Sequence, residues 1–187
     1  LLASAGVGGV ALGFGAQSLV KDYLSGIFMI LEDQYGVGDQ INVGDVTGTV
    51  EDVTLRVTRI RDAAGMVWYI RNGEIVRVGN VSKGFSTAVI DVPVAYDSDV
   101  VKATRTLEAV AKELDGDEKW STRLLEPPQV LGVESISAGS IVLRMSIKCP
   151  PNEQWGVARE LRERAQIALI AAGIKGPVTP LPVVPHA

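Results

Sequence analysis

The chain has one cysteine and one histidine among 187 residues. Cys149 has no second thiol to pair with, so nothing indicates an oxidising compartment. Placed between Lys148 and Pro150 with no partner base, it reads as a buried or edge thiol. His186 is the penultimate residue, which leaves no His-based catalytic pair and no His-rich metal site. Aromatic residues make up only 5% of the chain and the net charge is −4. General nucleic-acid binding wants the opposite, a basic face. Neither GxGxxG nor a Walker pattern is present, so the 20 glycines read as turns and bulges rather than phosphate loops. The sequence starts inside an apolar run, without Met and without a preceding basic segment; a signal peptide is not expected, and further upstream sequence is. Nothing points to an enzyme or to a cofactor.

Residues 1–20 carry no charge at all, and only Ser4, Gln17 and Ser18 have polar side chains. An α-helix rises about 1.5 Å per residue, so this stretch is long enough for a hydrocarbon core of about 30 Å. Glycine stands at 6, 8, 9, 13 and 15. Each costs a helix interior roughly 1 kcal/mol relative to alanine, whereas in a membrane small residues let helix backbones approach closely. At about 100° per residue, Ala3, Val7, Val10, Phe14, Gln17 and Lys21 form one stripe. Gly6, Gly9 and Gly13 flank it on one side; Ser4, Ala11, Gly15 and Ser18 flank it on the other. Leu1, Leu12 and Leu19 lie opposite. Two small faces beside a bulkier stripe suit a helix with a neighbour on each side, hence a ring with Val7, Val10, Phe14 and Gln17 towards a lumen. The alternative is an ordinary membrane helix with one incidental Gly-rich packing face.

Lys21 and Asp22 interrupt the apolar run, which resumes over residues 23–31 with Ser25-Gly26 near its start. A Gly/Ser site is a place for a kink. Two helical halves are therefore expected, bent between Gln17 and Gly26, the second lying along the membrane interface; a straight continuation is the alternative. From Glu32 glycines at 36, 38, 44 and 48 punctuate β-rich runs at 40–43, 49–54, 55–61 and 66–71, with turns at Asp45 and Gly65. This is a small all-β module of about five strands ending near Val81. Residues 83–87 read as a connector.

The region that follows gives a strand at 88–95, a helix at 100–114 capped from the 97–99 acids, and a charged loop at 115–119. Strands at 129–136 and 140–149 follow, then a helix at 153–172 capped by Asn152 and ended by Gly173. That βαββα order predicts two helices on one face of a mainly antiparallel sheet. The tail from 176 holds four prolines and is expected to be extended, with Val183-Val184 as a candidate edge strand or simply a disordered end. The acids Asp97, Asp99, Glu108, Glu113, Asp115, Asp117 and Glu118 lack the ligand spacing of a calcium loop and read as caps and a solvated face. Arg56, Arg59, Arg61 and Arg71 read as a solvated β surface or intersubunit salt bridges. A ring-forming RNA-binding module is the rival reading, disfavoured by the uncharged stretch of residues 1–20 and the acidic net charge.

Several short motifs occur in a fixed order. A Gly/Ala-rich helix (residues 9–16) runs to Gln17 and on to Ser25-Gly26. Then come G-D-x-I (Gly38, Asp39, Ile41), G-x-V (Gly48, Thr49, Val50), R-x-T (Arg56, Thr58) with Arg59, N-G-x-I (Asn72, Gly73, Ile75) and a V-A-Y-D-S-D run at 94–99. In this order and spacing, over nearly the whole chain, the sequence resembles the bacterial small-conductance mechanosensitive channel (MscS-like) family. It departs from the common pattern at Gln34-Tyr35 (usually Pro-Phe), at Arg71 (usually Pro), at Ser18 (usually Gly), and at Val10 and Phe14, where Leu is common.

The resemblance implies a homoheptamer in the bacterial inner membrane, with the residues after about 31 forming a hollow cytoplasmic cage. It places constriction rings at Val10 and Phe14, interlocking small positions at Ala11 and Gly13, beside Gly6, Gly9 and Gly15, and bends near Ser18 and Gly26. The expected organisation is a kinked pore-lining transmembrane helix at 1–31, an Sm-like β domain at 32–82, a ferredoxin-like α+β domain at 83–176 and an extended tail at 177–187. The implied function is a tension-gated channel that releases ions and small osmolytes through a dry apolar neck. Its partners are the lipid bilayer, copies of itself and the permeating solutes, without nucleic acid, metal or cofactor. A non-conducting membrane adaptor is the further alternative.

Overall fold

Helix α1 (Leu2–Leu31) opens the chain. The computed structural model describes residues 2–137 and 139–177, with side chains described from Gly9 onward; the positions expected of Gly6, Val7 and the Val183-Val184 strand therefore lie outside the described parts. The helix is unbroken through both Ser18 and Gly26, where the bend between two halves is expected; neither residue removes a backbone N–H as proline would. Among the described residues no helix is long and apolar enough to cross a membrane.

The chain divides into two compact units, Leu1–Lys83 and Gly84–Ala187. In the first, α1 is followed by β1 (Gln40–Val43), β2 (Val46–Val53), β3 (Val57–Asp62), β4 (Val67–Arg71) and β5 (Gly79–Asn80). They form one antiparallel sheet in the order β4-β3-β2-β1-β5. Alternation sets which face is buried: Ile41 and Val43 on β1, Gly48 and Val50 on β2, Thr58 and Ile60 on β3. With Met29, Tyr35 and Ile75 the apolar members close the core of the module. Gly44, at φ +60°, supplies the tight β1–β2 turn. Gly48 has no room for a side chain, since a Cβ there would press on the Arg61 carbonyl across the ladder.

The second unit runs β6 (Ser86–Ala95), α2 (Val100–Asp115), α3 (Glu118–Ser121), β7 (Gln129–Ser137), β8 (Ser140–Cys149) and α4 (Gln154–Ala171). β8 is the central strand, antiparallel to β6 along ten paired positions and to β7 on its other side. Helices α2 and α4 supply Leu107, Leu114, Val157 and Leu161 to a core shared with Ile90, Leu143, Met145 and Ile147. This is the strand–helix–strand–strand–helix order expected, with two differences. The charged loop at 115–119 contains the short helix α3, held by buried Trp120. Asn152 is not the cap of α4. It sits at φ +69° in the preceding turn, a conformation asparagine tolerates, and Glu153 occupies the cap position without a side-chain hydrogen bond. Asp99 does cap α2, accepting from Lys102 N at 3.0 Å, and Gly173 ends α4 at φ +73°. Cys149 is fully buried in this core, and burial pushes its thiol pKa up.

Candidate pore helix and its anchor

Every side chain of α1 described from Gly9 to Lys21 is exposed. Val10 is 61% exposed and Phe14 74%, high values for residues whose burial is the main driving force of folding. They stand one turn apart on one face, with Gln17 a further turn along. An added Cβ at Gly9, Gly13 or Gly15 would meet nothing in the chain. Ala11 and Ser18 are exposed as well. The small faces and the apolar stripe are therefore left exposed between Gly9 and Phe14 by the rest of the chain.

From Asp22 onward the same helix is fastened down. Asp22 is only 4% exposed although it lies in an apolar segment. Its Oδ1 accepts the backbone N–H of Gly73 at 3.0 Å, and its Oδ2 lies 4.0 Å from Arg56 Nε. Gly73 must be glycine for this approach, because a Cβ there would sit 2.5 Å from Asp22 Oδ1. Gly26 meets the module more closely still. A Cβ at that position would overlap the Leu55 carbonyl and lie 2.5 Å from Asn72 Nδ2. Glycine at 26 thus serves a close helix-to-module contact.

Beneath the contact runs a buried polar chain. Asn72 Nδ2 donates to the Thr54 carbonyl at 2.8 Å, which turns its Oδ1 towards Thr58. Thr58 Oγ1 donates to that oxygen at 2.8 Å, leaving Tyr35 OH, also at 2.8 Å, to donate to Thr58. Burial raises the Tyr35 pKa, so the phenol stays a donor. The Tyr35 hydroxyl also lies 3.2 Å from Met29 Sδ on α1. Asp39 closes the other side of the module, accepting from Gly36 N at 3.0 Å and Asn80 Nδ2 at 2.8 Å.

Arg56, Asn72 and Gly73, the last of them 51 positions from its partner Asp22, thus converge on one turn of α1. Two models of one family match this chain: the mechanosensitive ion channel beta-domain over residues 18–83 and the C-terminal domain of the mechanosensitive channel MscS over residues 88–175. The chain belongs to the MscS-like family of mechanosensitive ion channels. Among its MscS-like relatives, the small-conductance mechanosensitive channel of Caldanaerobacter subterraneus is 40% identical over 89% of this chain and 58% of its own length. The moderate conductance mechanosensitive channel YbiO of Escherichia coli is 31% identical over 99% of this chain and 25% of its own length. The chain spans between a quarter and three fifths of these two relatives. In fold it resembles Helicobacter pylori MscS in its closed state, at 21% identity and a TM-score of 0.78 over all of this chain and 73% of that one.

The MscS-like arginines do not form a basic surface. Glu51 takes both Arg59, at 3.2 Å, and Arg61, at 2.5 Å, and the Arg61 hydrogen bond holds the Glu51 carboxyl below the usual range. Arg71 pairs with Glu74, and Arg56 faces Asp22. These contacts lie within one chain and the four arginine side chains are about half exposed, in keeping with the solvated β surface expected. Among the described residues no group of His, Cys, Asp or Glu is placed to hold a metal ion. Sequence reasoning missed Asp22 as an anchor; the available signal was a lone carboxylate in an apolar helix, which has to find a partner when buried.

Proposed function

We propose that the chain is the pore-forming and cytoplasmic part of a tension-gated channel in the bacterial inner membrane, assembled as a homoheptamer, with the residues after about 31 in the cytoplasm. The observation that carries this reading is the exposed half of α1. An apolar helix segment with no partner in its own chain requires lipid or copies of itself to cover it, and its two small faces suit helix neighbours on both sides. The stripe of Val10 and Phe14 then rings the lumen, with Val7 above and Gln17 below. Ala11, Gly13 and the glycines at 6, 9 and 15 pack between helices.

Closed, such a neck stays dry, because apolar walls return none of the hydrogen bonds water loses on entering. Tension favours a wider assembly, the helices slide along their small faces, the neck wets, and ions and small osmolytes leave. The fastened half of α1 ties that motion to an Sm-like β module, whose outer strands β4 and β5 lie at opposite edges of the sheet as a head-to-tail ring requires. The second unit is read as a ferredoxin-like domain of the cage. Paired arginines and acidic net charge favour this channel over an RNA-binding ring. The test is patch-clamp of the full-length protein in liposomes. Suction should open discrete currents; their absence at tensions approaching bilayer rupture, with protein present in the membrane, overturns the reading.

A further inference from the structure

The sheet of the second unit ends at β6, and among the described residues no strand lies beyond it. The ladder between β6 and β8 runs without a bulge, so backbone groups along β6 alternate strictly between its two edges. The Ala95 N–H faces the free edge, because it donates to the Lys175 carbonyl at 2.9 Å. Thr87, Val89, Asp91 and Pro93 turn their backbone groups the same way. Pro93 has no N–H to offer, which is how a strand edge tolerates proline. Beside this edge lies a groove of about 400 Å³, walled by residues 91–94, by Arg162, Gln166, Leu169 and Ile170 of α4, and by residues 174–177 where the chain leaves that helix. An unpaired strand edge is a template for pairing with another chain unless something covers it.

The chain leaving α4 reaches the end of β6 with one ladder hydrogen bond already made. Since β6 ends at Ala95, only an antiparallel course carries further pairing along it. Counting from Lys175 opposite Ala95 then sets Pro177 opposite Pro93, Thr179 opposite Asp91, Leu181 opposite Val89 and Val183 opposite Thr87. In this register odd-numbered residues turn their backbone groups to β6 and even-numbered ones turn them outward. Pro180 and Pro182 are both even, so their missing N–H groups fall where no acceptor waits. Pro177 meets Pro93, so the gap in the donors of β6 coincides with a gap in those of the tail. A slip of one residue would turn Pro180 and Pro182 against β6. The same alternation sends the side chains of Val178, Pro180 and Pro182, all apolar, to the side of α4 and the groove. We propose that residues 178–184 dock on the free edge of β6 of their own chain as a fourth strand in this register. Docked so, the tail closes the open edge and fastens the end of α4 to the sheet.

The experiment is a disulfide in the full-length protein between Val89→Cys and Leu181→Cys. Residues exchanging both hydrogen bonds across an antiparallel pair have Cα atoms about 5.5 Å apart, within disulfide range. Cys149 is buried and does not compete. Oxidation should join the two within one chain. Val89→Cys combined with Pro182→Cys, whose side chain lies on the other face, should give at least tenfold less. No bond within the chain, or equal yields from the two pairs, overturns the proposal. Bonds between chains instead would mean that a neighbouring copy fills the edge, and overturn it as well. Hydrogen exchange reads the backbone separately. Leu181→Pro removes a donor facing β6 and should speed exchange of the Val89 amide at least tenfold, whereas Val184→Pro, at an outward position, should leave it unchanged. Equal exchange in both variants overturns the register.

Discussion

The two halves of α1 have similar composition and opposite circumstances. Gly9 to Val20 is exposed throughout, and its glycines look onto open space. From Asp22 to Met29 the helix presents Asp22, Gly26 and Met29 to the β module, all buried, and there its glycine is pressed against a backbone carbonyl. Glycine therefore means two things in one helix. In the first half it keeps a surface flat for a neighbour outside the chain; in the second it permits a contact already made. In the gating proposed above, the half that would move is the half that one chain leaves exposed, and the half that would transmit the motion is hydrogen-bonded to the module.

Gly26→Leu should break this contrast most severely. The added side chain meets the Leu55 carbonyl, a backbone atom that cannot swing aside. Overpacking costs typically about 1–3 kcal/mol and occasionally more; with rigid backbone opposing it, the upper end is expected. Thermal unfolding of the detergent-solubilised protein and protease cleavage between α1 and β1 would register it as a lowered Tm and new cutting. Gly13→Leu, placed where nothing opposes it within the chain, should leave cleavage at that site unchanged. Equal behaviour of the two variants would show that α1 is not fastened at Gly26.

Phe14→Ser probes the free half at its functional centre. A hydroxyl in every subunit hydrates the neck, so current without suction and impaired growth on expression are expected, with normal membrane abundance. Abundance that falls with no resting current would instead assign Phe14 to packing between helices.

Much of the first unit is legible in the amino-acid sequence. Strand positions come through because alternation and turn glycines agree; Gly44 and Gly65 adopt positive φ at the turns expected of them. What stays hidden has a common cause. A kink, a flat packing face and a close approach all select glycine, so Gly26 cannot be sorted by residue type alone. Asp22 reads as an interruption because its partner, the Gly73 N–H, is 51 positions away. Asn152 has the chemistry of a cap but lies in a turn with φ +69°, and α3 is too short to show a helical period. The stripe of Val10 and Phe14 is visible as periodicity, yet no contact within one chain gives it a role.

Thr58→Val should produce an intermediate effect. Valine matches threonine in shape but removes the hydroxyl that links Tyr35 to Asn72. Asn72 Oδ1 is then buried without a donor, at a cost of about 1–3 kcal/mol. Tyr35→Phe should cost less, because Thr58 can still donate to Asn72. Urea unfolding of the two variants ranks them. The reverse order would mean that the chain of hydrogen bonds runs the other way, with Asn72 flipped.

The smallest effect on stability is expected from Gly13→Ala, and it sharpens the contrast best. Within one chain the new methyl meets nothing, and alanine is the better helix former by roughly 1 kcal/mol. Unfolding of the β module should therefore be unchanged, since the substitution lies nine residues before its first anchor, Asp22. In the proposed ring the same methyl would enter every helix-to-helix contact at once. Small increments of bulk that are harmless singly then add with the symmetry, and the tension needed for opening should shift measurably while Tm does not. Pressure-response curves of the variant beside the wild type in the same patches read this directly. An unchanged threshold together with an unchanged Tm would place Gly13 on a face turned to lipid or lumen, and the small-residue faces of α1 would lose their role in gating.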